Sequence, residues 1–101
     1  MRMLVNVKFP HEPFSSYVKD GSIGDKMHKI LGALKPEACY FSERDGHRGA
    51  TIILDVKQAS DIPALAEPLF LGFSAEVSFH ICMTPEDLGN AKLGDLGKQW
   101  A

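Results

Sequence analysis

The sequence predicts an α+β domain of the ferredoxin-like class, with the element order βαββαβ and a C-terminal helical tail. Two observations predict it. Four segments alternate apolar and polar residues, as strands with one buried face do. Two stretches between them carry apolar residues at helical spacing, and the middle two strands follow one another as a hairpin. This order favours a four-stranded antiparallel sheet with two helices on one face.

The first strand is predicted at residues 2–9, where every second residue is apolar, and Pro10 and Pro13 end it. Residues 14–34 are predicted to be helical in two pieces or with a kink, because Gly21 and Gly24 interrupt the segment. The apolar stripe of this segment consists of Ile23, Met27, Ile30, Leu31 and Leu34.

Residues 37–56 are predicted to form the hairpin. Asp45 and Gly46 suit a two-residue type I′ turn, in which both central residues need positive φ. That turn pairs Arg44 with His47, and it places Phe41 on the core face and Tyr40 on the opposite face.

A second helix is predicted after Ser60 as N-cap, and Pro68 is expected to end or bend it early. The last strand is predicted at residues 75–83. The sequence "TPED" then opens a short helix, with Thr84 as its N-cap. The tail has an apolar stripe of Leu93, Leu96 and Trp100, but its glycines make it a poor autonomous helix.

Length and composition favour one domain over residues 1–101 of an ordinary globular protein, with 45% apolar and 24% charged residues. No apolar run approaches the ~20 residues of a transmembrane helix, and no leader pattern is seen, so we expect a cytoplasmic protein with no membrane partner. The net charge of −2 and the scattered 11 Lys and Arg residues argue against a nucleic-acid partner, as does the missing RNP aromatic motif. Cys39 and Cys82 lack metal-motif spacing, and no phosphate-binding or dinucleotide motif occurs, so neither a metal nor a cofactor is predicted.

Polar side chains are predicted to gather on the sheet face opposite the helices. In "EVSFHIC", residues 76–82, Val77 and Phe79 face the core while Glu76, Ser78 and His80 face the other way. His80 is a candidate catalytic residue because an imidazole moves protons near neutral pH. Glu76 is the second candidate, as a base that abstracts a proton α to a carbonyl. The candidate substrate-binding residues, which would hold a carbonyl or phenolate oxygen, are Asn6, Tyr40, Ser42 and Ser78.

Each candidate also has a purely structural interpretation. His80 could be a hydrogen-bonded interface residue, and Glu76 a solvated or salt-bridged residue at the strand start. Asn6 and Tyr40 could satisfy one another across the sheet. A cross-strand ion pair between Lys8 and Asp55 is expected on the same face.

The segments "MLVNVKF" at 3–9 and "PLFLGFSAEVSFHICMTPEDL" at 68–88 resemble the dimeric α/β-barrel proteins, in particular the muconolactone isomerase-like branch. The resemblance implies a homodimer in which two ferredoxin-like sheets pack open face to open face. The polar row of "EVSFHIC" would then line a cavity. That superfamily includes isomerases, cofactor-independent monooxygenases and haem-degrading proteins, so the fold does not choose a reaction.

The favoured hypothesis is a small-molecule binder, or an isomerase-like enzyme that moves a proton on an aromatic-derived or lactone-like substrate. One alternative is a non-catalytic interaction or assembly protein, whose polar sheet face is a dimer interface. A cofactor-independent monooxygenase is a second alternative.

Overall fold

Four antiparallel strands form one sheet in a computed structural model that describes residues 1–101. The strands are β1 (Arg2–Phe9), β2 (Ala38–Arg44), β3 (His47–Asp55) and β4 (Glu76–Ile81). Their order across the sheet is β2-β3-β1-β4, so β2 and β4 are the edge strands. With helices between β1 and β2 and between β3 and β4, this is the ferredoxin-like topology, and the predicted fold class is confirmed.

Five helices accompany the sheet: α1 (His11–Asp20), α2 (Ile23–Leu34), α3 (Ile62–Phe73), α4 (Pro85–Asn90) and α5 (Leu93–Trp100). The predicted break in the first helical segment is confirmed at Gly21, which ends α1 with a φ of 81°. Gly24, by contrast, lies inside α2. No helix is both long enough and apolar enough to cross a membrane.

The predicted hairpin register is confirmed. Arg44 pairs with His47, Phe41 with Ala50 and Tyr40 with Thr51. Asp45 and Gly46 have φ values of 51° and 77°, as a type I′ turn requires.

The core lies between one sheet face and the helices. Val5, Val7 and Ala50 from the central strands are fully buried beside Phe9 and Phe73. The four strand residues among them belong to the parity that the alternation assigned to the core. Phe9 and Phe73 pack edge to face with ring centroids 5.2 Å apart, so aromatic packing joins β1 to α3.

Two helix-boundary predictions are wrong. Pro68 does not end α3, which continues to Phe73. Leu69 and Phe73 are buried behind it, and their burial holds the last turn despite the hydrogen bond that proline removes. Ser60 is not the N-cap either; it lies in a 3₁₀ turn, and Asp61 precedes α3.

Phe41 has the predicted core parity but is 55% exposed. The reason is its position on an edge strand, β2, which the helices do not cover. The predicted capping at Thr84 is confirmed: its hydroxyl accepts from the Asp87 amide at 3.1 Å, and the Asp87 carboxylate accepts from the Thr84 amide at 3.0 Å.

Candidate anion-binding site on the open sheet face

The sheet face without helices, here called the open face, carries a continuous row of polar side chains. The register places Tyr40, Thr51, Asn6 and Ser78 side by side across all four strands. The neighbouring positions of β1 and β4 pair Lys8 with Glu76. The structure therefore brings Asn6, Tyr40 and Ser78 onto one face, as the alternation predicts.

Arg44 lies across this row. Its Nη2 atom donates to Thr51 Oγ1 at 2.8 Å and also to Asn6 Oδ1. The Arg44 stem passes over Gly49, where an added Cβ would lie 2.7 Å from Arg44 Cγ. A glycine at 49 therefore provides the space that lets the guanidinium reach the centre of the sheet.

The charge of Arg44 is not neutralised within the chain. Its only side-chain hydrogen bonds go to Asn6 and Thr51, and no carboxylate lies within ion-pair distance. Its Nε atom is buried and donates to no partner. Arg44 thus presents a fixed positive charge with spare hydrogen-bond donors.

Lys8 is the second cation of the site, and it contacts different partners from the one predicted. Its Nζ lies 3.6 Å from Asp45 and 3.9 Å from Glu76. The expected Lys8–Asp55 pair is wrong, because the β1–β3 register sets Asp55 opposite Arg2, at the other end of β1.

Asp55 instead accepts hydrogen bonds from Lys57 Nζ at 2.5 Å and from the Met1 ammonium at 3.0 Å. The Lys57 bond first, and then the ammonium bond, lower the pKa of Asp55 to about 2. This ion pair lies at the far end of the face from Arg44.

A shallow concavity of about 280 Å³ lies beside Arg44. Its lining includes Asn6, Glu76 and Ser78 from the predicted set, together with Lys8 and Arg44. His80 pairs with Leu4 in the β1–β4 register and is exposed.

His80 does not line this concavity in the single chain. Tyr40 is also outside it, and Ser42 borders a different recess. The catalytic and binding roles of all these residues stay predictions.

That other recess, here called the β2 cleft, lies at the helix-side edge of β2 and is an open recess of about 700 Å³. Its lining comprises Phe9, His11, Phe14, Phe41, Ser42, Glu43, Gly46, His47, Arg48 and Gly49. The imidazoles of His11 and His47 stack with centroids 4.5 Å apart. The Arg48 guanidinium lies 4.6 Å from the Phe14 ring centre.

No three His, Cys, Asp or Glu side chains come together as a metal site. Burial raises the pKa of the Cys39 thiol, which disfavours a thiolate there.

Sequence reasoning missed Arg44, the residue that organises the site. The signal was present: Arg44 shares the parity of Tyr40 and Ser42, and Gly49 lies on the neighbouring strand. The alternation pattern does not show that the Arg44 side chain can cross over Gly49 and reach residues on β3 and β1.

Comparisons with known proteins add little. No protein-family model and no curated protein matches the chain, so the resemblance to the muconolactone isomerase-like branch has no support there. Among solved structures, the de novo designed protein Ferredog-Diesel is similar at a TM-score of 0.48 and 10% identity, over 80% of this chain and 85% of the designed one. The fold assignment rests on the strand order and register described above.

Proposed function

We propose that the open face binds a small organic anion, held at Arg44, in a pocket that a second copy of the chain closes. The observation that carries this proposal is the unpaired guanidinium of Arg44, fixed in the middle of a sheet by Asn6 and Thr51. An arginine with free donors in fixed geometry suits a carboxylate or an enolate oxygen.

The surroundings of Arg44 favour an organic anion over a bare inorganic ion. Leu4 and Ile53 provide apolar surface on the same face, and the Tyr40 ring is 70% exposed next to Thr51. A flat aromatic acid can stack on Tyr40 while its carboxylate reaches Arg44.

A second copy of the chain is the proposed cover. The open face carries the apolar pair of Leu4 and Ile53 next to its polar row, and no element of the chain packs over it. Burying this face against its own copy gives a closed, isologous interface. It also removes water from around Arg44, which strengthens an ion pair formed there.

The proposed chemistry, where the protein is an enzyme, is isomerase-like proton transfer. Arg44 would stabilise the enolate oxygen that forms when a proton leaves the carbon next to a carbonyl. Glu76 borders the same concavity and would accept that proton. His80 is the alternative base, on the same face of β4 and separated from Glu76 by Ser78.

Titration with benzoate, followed by amide NMR spectra, tests the proposal. Benzoate is expected to shift the amide signals of Asn6, Thr51 and Ser78, whereas benzamide, its neutral analogue, is not. Arg44→Gln should weaken benzoate binding about tenfold or more, as the loss of a charge-assisted hydrogen bond predicts.

Arg48→Gln is the matched control, because Arg48 is on the helix side of the sheet, against Phe14. It should leave benzoate binding unchanged. Equal binding by wild type and Arg44→Gln, or shifts centred on Arg48, would refute the assignment of the site.

A further inference from the structure

The last part of the chain carries an apolar stripe without a packing partner. Every residue from Pro85 to Ala101, here called the C-terminal arm, is exposed. The arm makes the molecule 60 Å long but only 28 by 19 Å across. Its radius of gyration of 17.1 Å exceeds the roughly 13 Å of a compact chain of this length.

Helix α5 presents one apolar stripe. Leu93, Leu96 and Trp100 recur at helical spacing on one side, and Trp100 is 77% exposed. The helix has only eight residues, contains Gly94 and Gly97, and begins without a side-chain cap. Such a helix is unstable in water unless its apolar stripe packs on another surface.

The β2 cleft is a surface of matching character. Phe9, Phe14 and Phe41 make its lining aromatic, and Phe41 is a large apolar side chain left uncovered. Its volume of about 700 Å³ accommodates an indole ring.

An ion pair between the arm and the cleft is available as well. The arm carries three carboxylates and two lysines. At the cleft, Arg48 donates to Ser15 and has no carboxylate within ion-pair distance, although Glu43 lines the same cleft and is opposite Arg48 in the β2–β3 register. The stacked imidazoles of His11 and His47 also line the cleft. Asp95 lies in the first turn of α5, between Leu93 and Leu96 of the apolar stripe, and is the acidic group of the arm nearest to that stripe.

The sheet order indicates which molecule provides the cleft. The arm leaves from β4, and the cleft lies at β2, the opposite edge. When two copies face each other about a twofold axis along the strands, β4 of one copy lies over β2 of the other. The arm then starts at the edge where the partner's cleft is found, at the end of β4 that pairs with Met3. From there it has to run along the strands to reach the cleft, which lies at the other end of the sheet beside Phe9 and the hairpin turn.

We infer that the C-terminal arm docks on a second copy of this chain, with Trp100 inserted into the β2 cleft of that copy. The exchange is reciprocal, so each pair of chains buries two arms and two clefts. The inference concerns the helix side of the sheet and goes beyond the proposed anion site, but it rests on the face-to-face pair of chains proposed above.

Trp100 is the single tryptophan of the chain, so fluorescence reports its surroundings without labelling. The wild type should emit at shorter wavelength than free N-acetyltryptophanamide. Phe41→Asp should move the emission to that of the free indole, because it places a charge in the cleft at an exposed position. Leu71→Asp, at a residue 83% exposed on α3, is the control and should keep the wild-type emission.

A mixture of two variants then separates exchange from docking within one chain. Trp100→Ala has no tryptophan but an intact cleft, and Phe41→Asp has an intact arm but a damaged cleft. Denaturing and refolding them together should restore the short-wavelength emission, because the arm of one variant enters the cleft of the other. Circular dichroism checks that each variant is folded, and Phe41→Ser replaces Phe41→Asp should the latter unfold.

Wild-type emission equal to that of free indole would overturn the inference, as would unchanged emission in the folded Phe41 variant. A mixture that emits like Phe41→Asp alone would mean that each arm docks on its own chain, which also overturns it. Benzoate binding is measured on the same variants. A wild type that emits like free indole but still binds benzoate would overturn the arm exchange alone.

Discussion

The side chain of Arg44 crosses the sheet over Gly49, with no room for a Cβ between them. An alanine at 49 would place its Cβ 2.7 Å from Arg44 Cγ and 3.1 Å from the Val7 carbonyl oxygen. The contact with Arg44 can be relieved by moving its side chain, but the contact with the Val7 carbonyl can be relieved only by moving the backbone.

Gly49→Ala should therefore displace Arg44 and lower the free energy of unfolding by about 1–3 kcal/mol. Benzoate binding should weaken with it. Gly32→Ala is the control: Gly32 lies in α2 with no atom near its Cβ position, and alanine should raise stability by up to about 1 kcal/mol. Urea unfolding measures both. An unchanged stability and unchanged binding in Gly49→Ala would mean that the crossing of Arg44 over Gly49 is not a requirement of the site.

The two faces of β4 should respond differently to substitution. Val77 packs against the core, so Val77→Asp should destabilise the protein by more than about 2 kcal/mol because it places a carboxylate in apolar surroundings. Ser78 is exposed on the open face, and Ser78→Ala should change stability by less than about 1 kcal/mol. Denaturant midpoints compare the two, and similar values would contradict the assignment of the faces.

Sequence patterns were sufficient for the parts of the fold that local rules determine. The alternation in β1, β3 and β4 identified the core face, and Asp45-Gly46 determined the hairpin register. Patterns were insufficient where the result depends on how the helices and the sheet pack on one another. Phe41 obeys the parity rule but lies beyond the helices, and Pro68 is tolerated because buried neighbours hold α3 together.

Of the candidate site, the sequence predicted the face and most of its polar residues. It missed Arg44, because its reach depends on the space over Gly49, and it paired Lys8 with the wrong carboxylate, because register along β1 decides that contact.

The apolar residues of the open face predict that the chain forms a dimer. We expect light scattering at micromolar concentration to give a mass of twice the 11.1 kDa chain. Ile53→Lys should shift the mass toward one chain, because it places a charge in the middle of the proposed interface. Leu71→Lys, on the outer side of α3, should leave the mass unchanged. A wild-type mass of one chain would contradict the closed pocket.

Asp55 should make stability depend on acid. Its pKa in the folded chain, about 2, is below the ordinary value of 3.8, so the ion pair stabilises the fold above about pH 4. That contribution should disappear as the pH falls through about 2. In urea unfolding, Asp55→Asn should lose less stability than the wild type between about pH 4 and pH 2. Glu43→Gln removes an exposed carboxylate without hydrogen-bond partners, and it should lose as much stability as the wild type. The same pH dependence in the wild type and both variants would refute the argument.

The position of a bound carboxylate tests the central claim most directly. In a crystal structure with benzoate, we expect its carboxylate within about 3 Å of an Arg44 guanidinium nitrogen, between the open faces of two chains. The ring should contact Tyr40, Leu4 or Ile53. Benzoate in the β2 cleft against Arg48, or an Arg44 paired with a carboxylate of the second chain, would contradict the account. The latter result would make the open face an assembly surface and not a binding site.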